Sequence, residues 1–439
     1  MFKETSKELL DFLSKCPTAF HAVENYRQVL NADGFKELLE SEHWDIVPGG
    51  KYYVTRNNTS ILAFKVGTKL ENYSFNIVTS HTDSPTFKVK ENAEIEVKNK
   101  YTQLNTEGYG GMLCATWLDR PLSIAGRVLV SEGNSIVTKL LNIDRDLLMI
   151  PNVAIHMNRA ANDGFKYNLQ VDMLPLLSAG DDRQKDFKQI IADELGVKKE
   201  DILGHDLYLY NRMAPSIWGA NEEFISSGHL DDLQCGFASL KALLAGYNDE
   251  SIDIMACFDN EEVGSGTKQG ADSTLLRDTL IRINSALGKT EEDYHRALAS
   301  SFMLSADNAH AVHPNHPEHT DATNCTYMNE GVVVKSHAGQ KYTSDGVSMA
   351  VVKSLASGAD VPLQYFANRS DKAGGSTLGN IAMAQASMNA VDIGLPQLAM
   401  HSSYETAGIK DTYYAITLMK ALFDSHIQET STHSLEIKR

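Results

Sequence analysis

Cysteine is scarce in this sequence, and its spacing excludes a cysteine-based framework. The 439 residues include five cysteines, at positions 16, 114, 235, 257 and 325, with no CxxC pair among them. An odd number of widely separated cysteines argues against the regular spacing of a disulfide-stapled scaffold. We expect buried, reduced thiols, which fits a reducing compartment.

Long apolar runs are also missing. No run approaches the ~18 residues that a membrane-spanning helix needs. The polar residues 1–5 lead into a helical pattern and lack the apolar core of a signal peptide. We therefore expect a cytoplasmic protein without a membrane partner.

Basic residues are too few to balance the acidic ones. The chain has 40 Lys and Arg against 57 Asp and Glu, a formal net charge of -17. This excess argues against nucleic acid or an anionic membrane as a partner, because both need a basic surface. The hydrophobic fraction of 42% is ordinary for a globular protein, and the length suggests two or three domains.

What the chain does have is an alternation of apolar strands and helical patterns at both ends, around a middle of short strands and turns. The alternation predicts an α/β sheet covered by helices on both faces. We expect this α/β domain to comprise residues 1–88 and 210–439, and residues 89–209 to form an inserted β-rich domain. The predicted strands of the α/β domain are residues 60–66, 75–79, 252–258, 301–305, 332–334 and 362–367. The predicted helices between them are residues 233–247, 347–357 and 378–390.

Several of these apolar segments run directly into His, Asp and Glu residues. The clusters are residues 80–85, 226–232, 259–262, 305–307 and 398–401. One such cluster carries little weight, since a His after a strand is commonly a surface residue and an acidic pair is commonly a solvated loop. In open α/β sheets, however, ligands bind outside the carboxyl ends of the strands. Five clusters at such positions therefore predict one polar site.

The residue types of this set match a two-metal site. Two zinc ions that share one carboxylate need a bridging ligand and two terminal ligands each, mostly His, Asp or Glu. A neighbouring free carboxylate can then act as a base, and the pair Glu261–Glu262 offers one ligand and one base. We expect two zinc ions per subunit, and Mn²⁺ or Co²⁺ could occupy the same ligands.

Four motifs give the chain a specific resemblance. They are Ser-His-Thr-Asp-Ser-Pro at 80–85, Leu-Asp-Asp-Leu at 230–233, Asp-Asn-Glu-Glu-Val-Gly-Ser at 259–265, and the segment 305–315 that begins Ser-Ala-Asp-Asn. The chain resembles the aspartyl aminopeptidase family of dizinc aminopeptidases, from residue 16 to residue 402. The resemblance implies a mixed sheet sandwiched by helices and an aminopeptidase activity on peptides with N-terminal Asp or Glu.

The resemblance also implies a set of metal ligands, which are His81, Asp231, Glu262, Asp307 and His401. His81 and Asp307 would hold one zinc, Glu262 and His401 the other, and Asp231 would bridge them. Asp232 stands where the family usually has Asn. Asp232 is therefore the alternative to Asp231 as the bridge.

Further roles are implied for residues beside these ligands. Glu261 would be the general base, and Asp83, two residues after His81, would orient its ring. His156 matches a histidine that reaches the active site of a neighbouring subunit, where it contacts substrate and stabilises the reacting carbonyl. Read alone, His156 would be an ordinary surface or core histidine.

Substrate contacts are implied at two places. Lys335 matches a substrate-contacting lysine, although a snorkelling lysine at a strand end would have the same sequence signature. Residues 371–377, with Asp371 and Gly374, resemble a glycine-rich substrate loop. The four histidines between 310 and 319 are interpreted as a loop beside Asp307 rather than a metal tract, because prolines interrupt them.

The resemblance finally implies a homo-oligomer in which the inserted domain forms dimers that assemble into a tetrahedral dodecamer. Two other functions remain open at this point. One is an enzyme with the same metal core but neutral or broad aminopeptidase, carboxypeptidase or deacylase specificity. The other is a metal-binding shell without catalysis, against which the free carboxylate of Glu261 argues.

Overall fold

The computed structural model describes all 439 residues, which form four sheets and nine helices, numbered here along the chain. The largest sheet has nine strands. In spatial order they are β1 (Lys36–Leu38), β2 (Lys51–Arg56), β3 (Ser60–Val66), β13 (Ser251–Phe258), β4 (Ser74–His81), β14 (Phe302–Ala306), β18 (Asn389–Gly394), β16 (Val332–Lys335) and β17 (Leu363–Phe366).

Helices cover both faces of this sheet, because its central strands are apolar on both sides. Every residue of β4 and β13 is buried. One face packs against α1 (Phe2–Ser14), α2 (Ala19–Ala32), α4 (Leu230–Ala245), α7 (Gly346–Gly358) and α9 (Asp411–Phe423). The other packs against α5 (Leu275–Ala286), α6 (Glu291–Ala299) and α8 (Leu378–Gln385). The expected α/β sandwich is confirmed, and the sheet is mixed, since β3 runs antiparallel to β13.

The order of the central strands brings three polar segments to one edge. Strands β13 and β14 both pair in parallel with β4, which lies between them. The register aligns Phe258 with His81 and Ser305 with Thr79, so the three strands end at nearly the same level. Their following residues therefore meet at the carboxyl edge of the sheet.

A six-stranded antiparallel sheet forms from the middle of the chain. In spatial order its strands are β8 (Ser135–Asn142), β7 (Leu122–Glu132), β10 (Ile202–Asn211), β5 (Thr86–Val97), β6 (Tyr101–Tyr109) and β9 (Leu176–Ala179). Together with α3 (Phe187–Leu195) it has its own apolar core. The expected borders of the inserted domain fall inside β5 and β10. Its role in dimerisation stays a prediction.

A five-stranded sheet and a terminal hairpin complete the chain. The sheet contains β11 (Ser216–Trp218), β12 (Phe224–Ser227), β20 (Glu405–Gly408), β19 (Pro396–Leu398) and β15 (Ala309–His310), and the hairpin contains β21 (His426–Ser431) and β22 (Ser434–Lys438). The sequence pattern did not predict this smaller sheet, whose strands are only two to four residues long. The loop between β19 and β20 carries His401, one of the predicted ligands.

One predicted helix is wrong at its C-terminal end. The pattern of residues 378–390 predicts a single helix, but α8 ends at Gln385 and β18 begins at Asn389. β18 fills the place between β14 and β16, so pairing on both edges overrides the local helical pattern.

The cysteines agree only in part with the expectation from the sequence. All five cysteines are free, three of them buried and two partly exposed, so the expectation of buried thiols is wrong for Cys114 and Cys325. No helix combines the length and apolarity needed to cross a membrane.

Candidate metal centre

The five predicted ligands come together at the edge where the central strands end. His81 is the last residue of β4, Asp307 follows β14, and Glu262 lies in a 3₁₀ turn after β13. Asp231 lies in the first turn of α4, and His401 follows β19. Ligand atoms of His81, Asp231 and Asp307 lie within 4.8 Å of one another, and so do those of Asp231, Glu262 and His401. The two groups share Asp231.

The distances within each group match those between ligands of one zinc ion. His81 Nε2 lies 3.5 Å from Asp231 Oδ1, and His401 Nε2 lies 3.4 Å from Asp231 Oδ2. His401 Nε2 lies 3.3 Å from Glu262 Oε2. Tetrahedral ligands at about 2.0–2.1 Å from zinc are themselves roughly 3.4 Å apart. Each oxygen of Asp231 thus faces a different histidine, as a bridging carboxylate requires.

Both histidines have their Nδ1 occupied and their Nε2 turned to the centre. His81 Nδ1 lies 3.0 Å from the carbonyl oxygen of Asp83 and 3.5 Å from its Oδ1. His401 Nδ1 lies 2.8 Å from the carbonyl oxygen of Gly111. A ring that donates its Nδ1–H keeps a lone pair on Nε2 for a metal.

Asp83 organises one side of the centre. Its Oδ1 accepts the N–H of Glu261 and its Oδ2 the N–H of Glu262, both at 3.1 Å. The phenol of Tyr109 donates to Oδ2 at 2.6 Å. One buried carboxylate therefore positions His81 and the acidic turn together, which is a larger role than the expected orientation of His81 alone.

The centre concentrates negative charge in a buried place. Six carboxylates meet here: Asp83, Asp231, Asp232, Glu261, Glu262 and Asp307. Buried oxygens of Asp231, Asp232 and Glu262 have no hydrogen-bond partner. Buried charge on this scale is costly unless cations neutralise it. Two divalent ions would supply that charge and partners for the free oxygens, so the donor set fits zinc.

Burial of these carboxylates also shifts their pKa values. Burial raises the pKa of Glu261 to about 8, and burial also raises the pKa values of Glu262 and Asp307. Burial opposes the charged form of Asp231 as well, but the nearby imidazoles of His401 and His81 favour its carboxylate and hold its pKa below the usual range. A bound cation favours the deprotonated carboxylates, so metal binding is expected to release protons.

Glu261 and Glu262 occupy different positions, although they are adjacent. Glu262 belongs to the group with Asp231 and His401, whereas Glu261 occurs only in a third group of converging ligand atoms, with His81 and Glu262. Glu261 therefore stands beside the ligands and outside the Asp231 groups. A carboxylate in that position can exchange a proton with a water at the centre.

The geometry favours Asp231 over Asp232 as the shared ligand. Asp232 is fully buried, and its Oδ2 accepts the backbone N–H of His81 at 3.2 Å. It belongs to neither group of converging ligand atoms.

Lys335 lies inside the protein beside one of the ligands. Its ammonium group is 3.5 Å from Asp307 Oδ1 and donates to the carbonyl oxygen of Asn308 at 2.8 Å. It also lies 5.6 Å from the ring centre of Tyr342. Lys335 is 3% exposed, so the snorkelling alternative is wrong.

The remaining predicted residues lie apart from the ligand groups. His156 is exposed in a loop of the inserted domain. Asp371 is exposed and forms an ion pair with Arg369 at 2.8 Å, while the carbonyl of Gly374 accepts a hydrogen bond from Lys341 at 2.9 Å. Their roles in substrate binding stay predictions.

The histidine run lies on a loop after Asp307, as interpreted from its prolines. His316 and His319 are exposed, and their ligand atoms and those of Glu318 lie within 4.8 Å of one another. His310, at the start of the run, is on β15 and lines a cavity with His313 and His319.

The sequence pattern missed two residues of the site, Tyr109 and Glu405. Tyr109 ends β6 and reaches Asp83 from the inserted sheet. Glu405, at the start of β20, accepts backbone hydrogen bonds from Asp231 and His401. An acidic residue at the start of an apolar strand was the only available hint for Glu405, and nothing marked Tyr109.

The chain matches a family model described as "Aminopeptidase I zinc metalloprotease (M18)" over residues 12–423. It is 48% identical to the "Probable M18 family aminopeptidase 2" of Clostridium novyi (strain NT), covering 95% of this chain and 98% of that protein. It is 39% identical to the protein of the same name from Stutzerimonas stutzeri (strain A1501), covering 97% and 99%.

The chain is also similar in fold to solved structures over almost its whole length. The chain is similar to a chain in the "Cryo-EM structure of the Ape4 and Nbr1 complex", with 35% identity, a TM-score of 0.93, and coverage of 96% of this chain and 86% of that one. It is also similar to the S. cerevisiae mApe1 dodecamer, with 28% identity, a TM-score of 0.83, and coverage of 96% and 97%.

Proposed function

The chain belongs to the M18 family of zinc metallo-aminopeptidases, and from this premise we propose that it removes N-terminal Asp and Glu residues from peptides with two zinc ions. The two groups of ligand atoms that share Asp231 are the observation that carries the two-ion part of the proposal. His81, Asp231 and Asp307 would hold one ion, and Asp231, Glu262 and His401 the other.

The protein's own residues would perform the proton transfers. Zinc, when bound, polarises a carbonyl and lowers the pKa of a bound water to about 7. Glu261 would accept a proton from the attacking water and return it to the leaving amine. Asp83 would hold the backbone of Glu261 and the ring of His81 in place through the contacts described above.

The acidic preference is supported by positive charge beside the centre. The ammonium of Lys335 lies next to Asp307. A cavity of about 240 Å³ carries Arg369 and Lys372 in its wall and extends to residues 398–400, directly before His401. A carboxylate side chain of the substrate would gain charge-assisted hydrogen bonds in such surroundings.

Replacing Lys335 by Met is expected to reduce kcat/KM for an aspartyl peptide roughly 10–100-fold, the worth of one hydrogen bond to a charged group. Turnover of a leucyl peptide should change much less, because its side chain has no charge to pair. Steady-state kinetics on both peptides would measure the change in their ratio. Zinc content must be measured in parallel, since Lys335 also contacts Asp307.

Lys353→Met is the matched control for this substitution. Lys353 also lies over a tyrosine ring, at 5.0 Å from the centre of Tyr365, but it is exposed on α7. It should leave the ratio of the two activities unchanged. Equal losses on both peptides in Lys335→Met would favour the alternative, a metallo-aminopeptidase of neutral or broad specificity.

We also propose that the protein is a homo-oligomer, built from dimers formed by the inserted domain and assembled into a dodecamer. The loop around His156 exposes several large apolar side chains, namely Val153, Ile155, Met157, Phe165, Leu169 and Val171. A segment with so many exposed large apolar side chains is typical of an interaction surface. In the dimer, His156 would reach the partner's active site and stabilise the reacting carbonyl.

A mixture of two inactive variants is expected to recover activity if His156 acts across subunits. His156→Ala keeps its own Glu261 but supplies no histidine, and Glu261→Gln supplies the histidine but lacks the base. In a mixed dimer one of the two sites is complete. Random pairing of equal amounts in symmetric dimers should restore about a quarter of the wild-type activity.

The mixing experiment requires co-refolding or co-expression, with subunit exchange verified by native mass spectrometry. His205→Ala is a suitable control, because His205 is also in the inserted domain but lies half-buried on strand β10. A mixture that stays inactive despite verified mixed dimers would contradict the role of His156 across the interface.

A further inference from the structure

Glu405 lies behind the metal ligands and connects two of them. It is the first residue of β20 and pairs with Ser227 of β12, which precedes α4. Its side chain is 2% exposed. Oε2 accepts the backbone N–H of Asp231 at 3.0 Å, and Oε1 accepts the backbone N–H of His401 at 2.7 Å. One carboxylate thus joins two ligands that are far apart in the sequence.

Glu405 accepts two backbone N–H groups in the same way as Asp83 does elsewhere around the metal centre. Asp83 accepts the backbone N–H groups of Glu261 and Glu262, and Glu405 accepts those of Asp231 and His401. Hydrogen bonds from N–H groups to a carboxylate are shorter and stronger than those to neutral acceptors. Each side of the centre therefore has a buried carboxylate that fixes the backbone of two functional residues.

His401 depends on such support because of its backbone conformation. Its φ angle is +67°, in the left-handed region that residues with a Cβ rarely adopt. A residue held there persists only when its surroundings define it strongly. The hydrogen bond from its backbone N–H to Glu405 fixes the backbone of His401, and the hydrogen bond between its ring and the carbonyl oxygen of Gly111 fixes the imidazole.

Further hydrogen bonds connect Glu405 to the loop that carries the ligand Asp307. Gln397 Nε2 lies 3.3 Å from Glu405 Oε1, and Asn308 donates to Gln397 Oε1 at 2.7 Å. Asn308 directly follows the ligand Asp307, and its carbonyl oxygen accepts the bond from Lys335. The backbones of Asp231, Asp307 and His401 are thereby joined in one buried polar network.

We propose that Glu405 is a positioning residue that holds Asp231 and His401 at zinc-binding distance and so determines the affinity of the ion between them. The proposal rests on the ligand set of the proposed function. Both oxygens of Glu405 are used as acceptors of backbone N–H groups. An amide in its place would turn an NH₂ group toward one of those N–H donors and release one ligand.

Glu405→Gln is expected to weaken zinc binding at the His401 side about 10–100-fold, the usual effect of losing a residue that orients a ligand. Zinc affinity would be measured by competition with a chromogenic chelator. Absorption of the Co²⁺-loaded protein would report the changed coordination directly. Excess zinc should restore most of kcat in Glu405→Gln, which a misfolded protein would not allow.

Asp411→Asn is the matched control. Asp411 is also a fully buried carboxylate that accepts two backbone N–H groups, from Asn329 at 2.6 Å and Gly331 at 3.1 Å, but it contacts no ligand. It should leave zinc affinity and the Co²⁺ spectrum unchanged. Equal effects of Glu405→Gln and Asp411→Asn on zinc affinity would overturn the proposal, because they would reflect only the loss of a buried carboxylate.

Glu405→Asp tests whether Glu405 is needed for folding, and His401→Ala tests the proposed ligand set itself. Glu405→Asp keeps the charge but is too short to reach both N–H groups, so it should fold and bind zinc with intermediate affinity. Failure of Glu405→Asp to fold would assign the residue to the fold and contradict the proposal. If His401→Ala binds zinc normally, the ligand set of the proposed function fails. If His401→Ala loses zinc while Glu405→Gln does not, only the inference about Glu405 fails.

Discussion

Glu261→Gln is expected to lower kcat by about 10²–10⁴-fold while both zinc ions stay bound, because the substitution removes a proton acceptor and no ligand. Glutamine has nearly the shape of glutamate but cannot accept the proton of the attacking water. Glu262, one residue further, belongs to the ligand group with Asp231 and His401 and stays unchanged. The neighbouring backbone N–H groups would still be held by Asp83.

Kinetics and metal analysis of Glu261→Gln together distinguish a general base from a metal ligand. Steady-state kinetics should show the loss in kcat with little change in KM, and metal analysis should show an unchanged zinc content. Glu292→Gln is the matched control, since Glu291 and Glu292 form another adjacent acidic pair, exposed at the start of α6. Unchanged turnover in Glu261→Gln would reject the base, and a loss of zinc would identify Glu261 as a ligand.

Asp231→Asn is expected to cause the second large effect, a loss of zinc from both positions and of activity by about 10³-fold or more. Each oxygen of Asp231 faces one histidine, His81 or His401, at 3.4–3.5 Å. An asparagine offers one oxygen and no negative charge, so it cannot bridge two ions. The several kcal/mol of stabilisation that metal ions give the transition state would then be lost.

Asp232→Asn is the control for this experiment. Asp232 is equally buried and acidic, but it accepts a backbone N–H of His81 and belongs to no ligand group. It should retain both ions and most of the activity. The opposite result, with zinc lost in Asp232→Asn and kept in Asp231→Asn, would move the bridge to the second aspartate.

The proposed oligomer would connect the two proposed domains of the chain to one function. The α/β part carries the candidate ligands and Glu261, and the inserted part carries Tyr109 and the exposed loop of His156. Tyr109 acts within the chain by bonding to Asp83, whereas the proposed role of His156 needs a partner. Complementation between variants and the kinetics of Glu261→Gln therefore test different parts of the same site.

Much of the α/β domain was predictable because its central strands are continuous apolar runs. Strands β3, β4, β13 and β14 lie where the pattern predicts them. The failures have a common physical reason. The strand β18 follows a helical pattern and exists because two neighbouring strands pair with it. The five-stranded sheet consists of segments too short for periodicity to reveal.

The candidate site was likewise predictable only in part from the sequence. The residue types at strand and helix ends predicted a two-metal site, and the family resemblance carried by the motifs implied His81, Asp231, Glu262, Asp307 and His401 as its ligands. The tertiary structure showed which groups surround each side chain of the site. It put the two oxygens of Asp231 toward different histidines and buried Lys335 against Asp307.

The amino-acid sequence was enough to identify the family, the α/β architecture and the candidate ligands, since these depend on local patterns and on residue type. Only the tertiary structure decided which residues hold the ligands in place. Glu405 and Tyr109 act through hydrogen bonds to residues distant in the chain. Such contacts depend on how the sheets pack and on register, and they leave no periodic signal in the sequence.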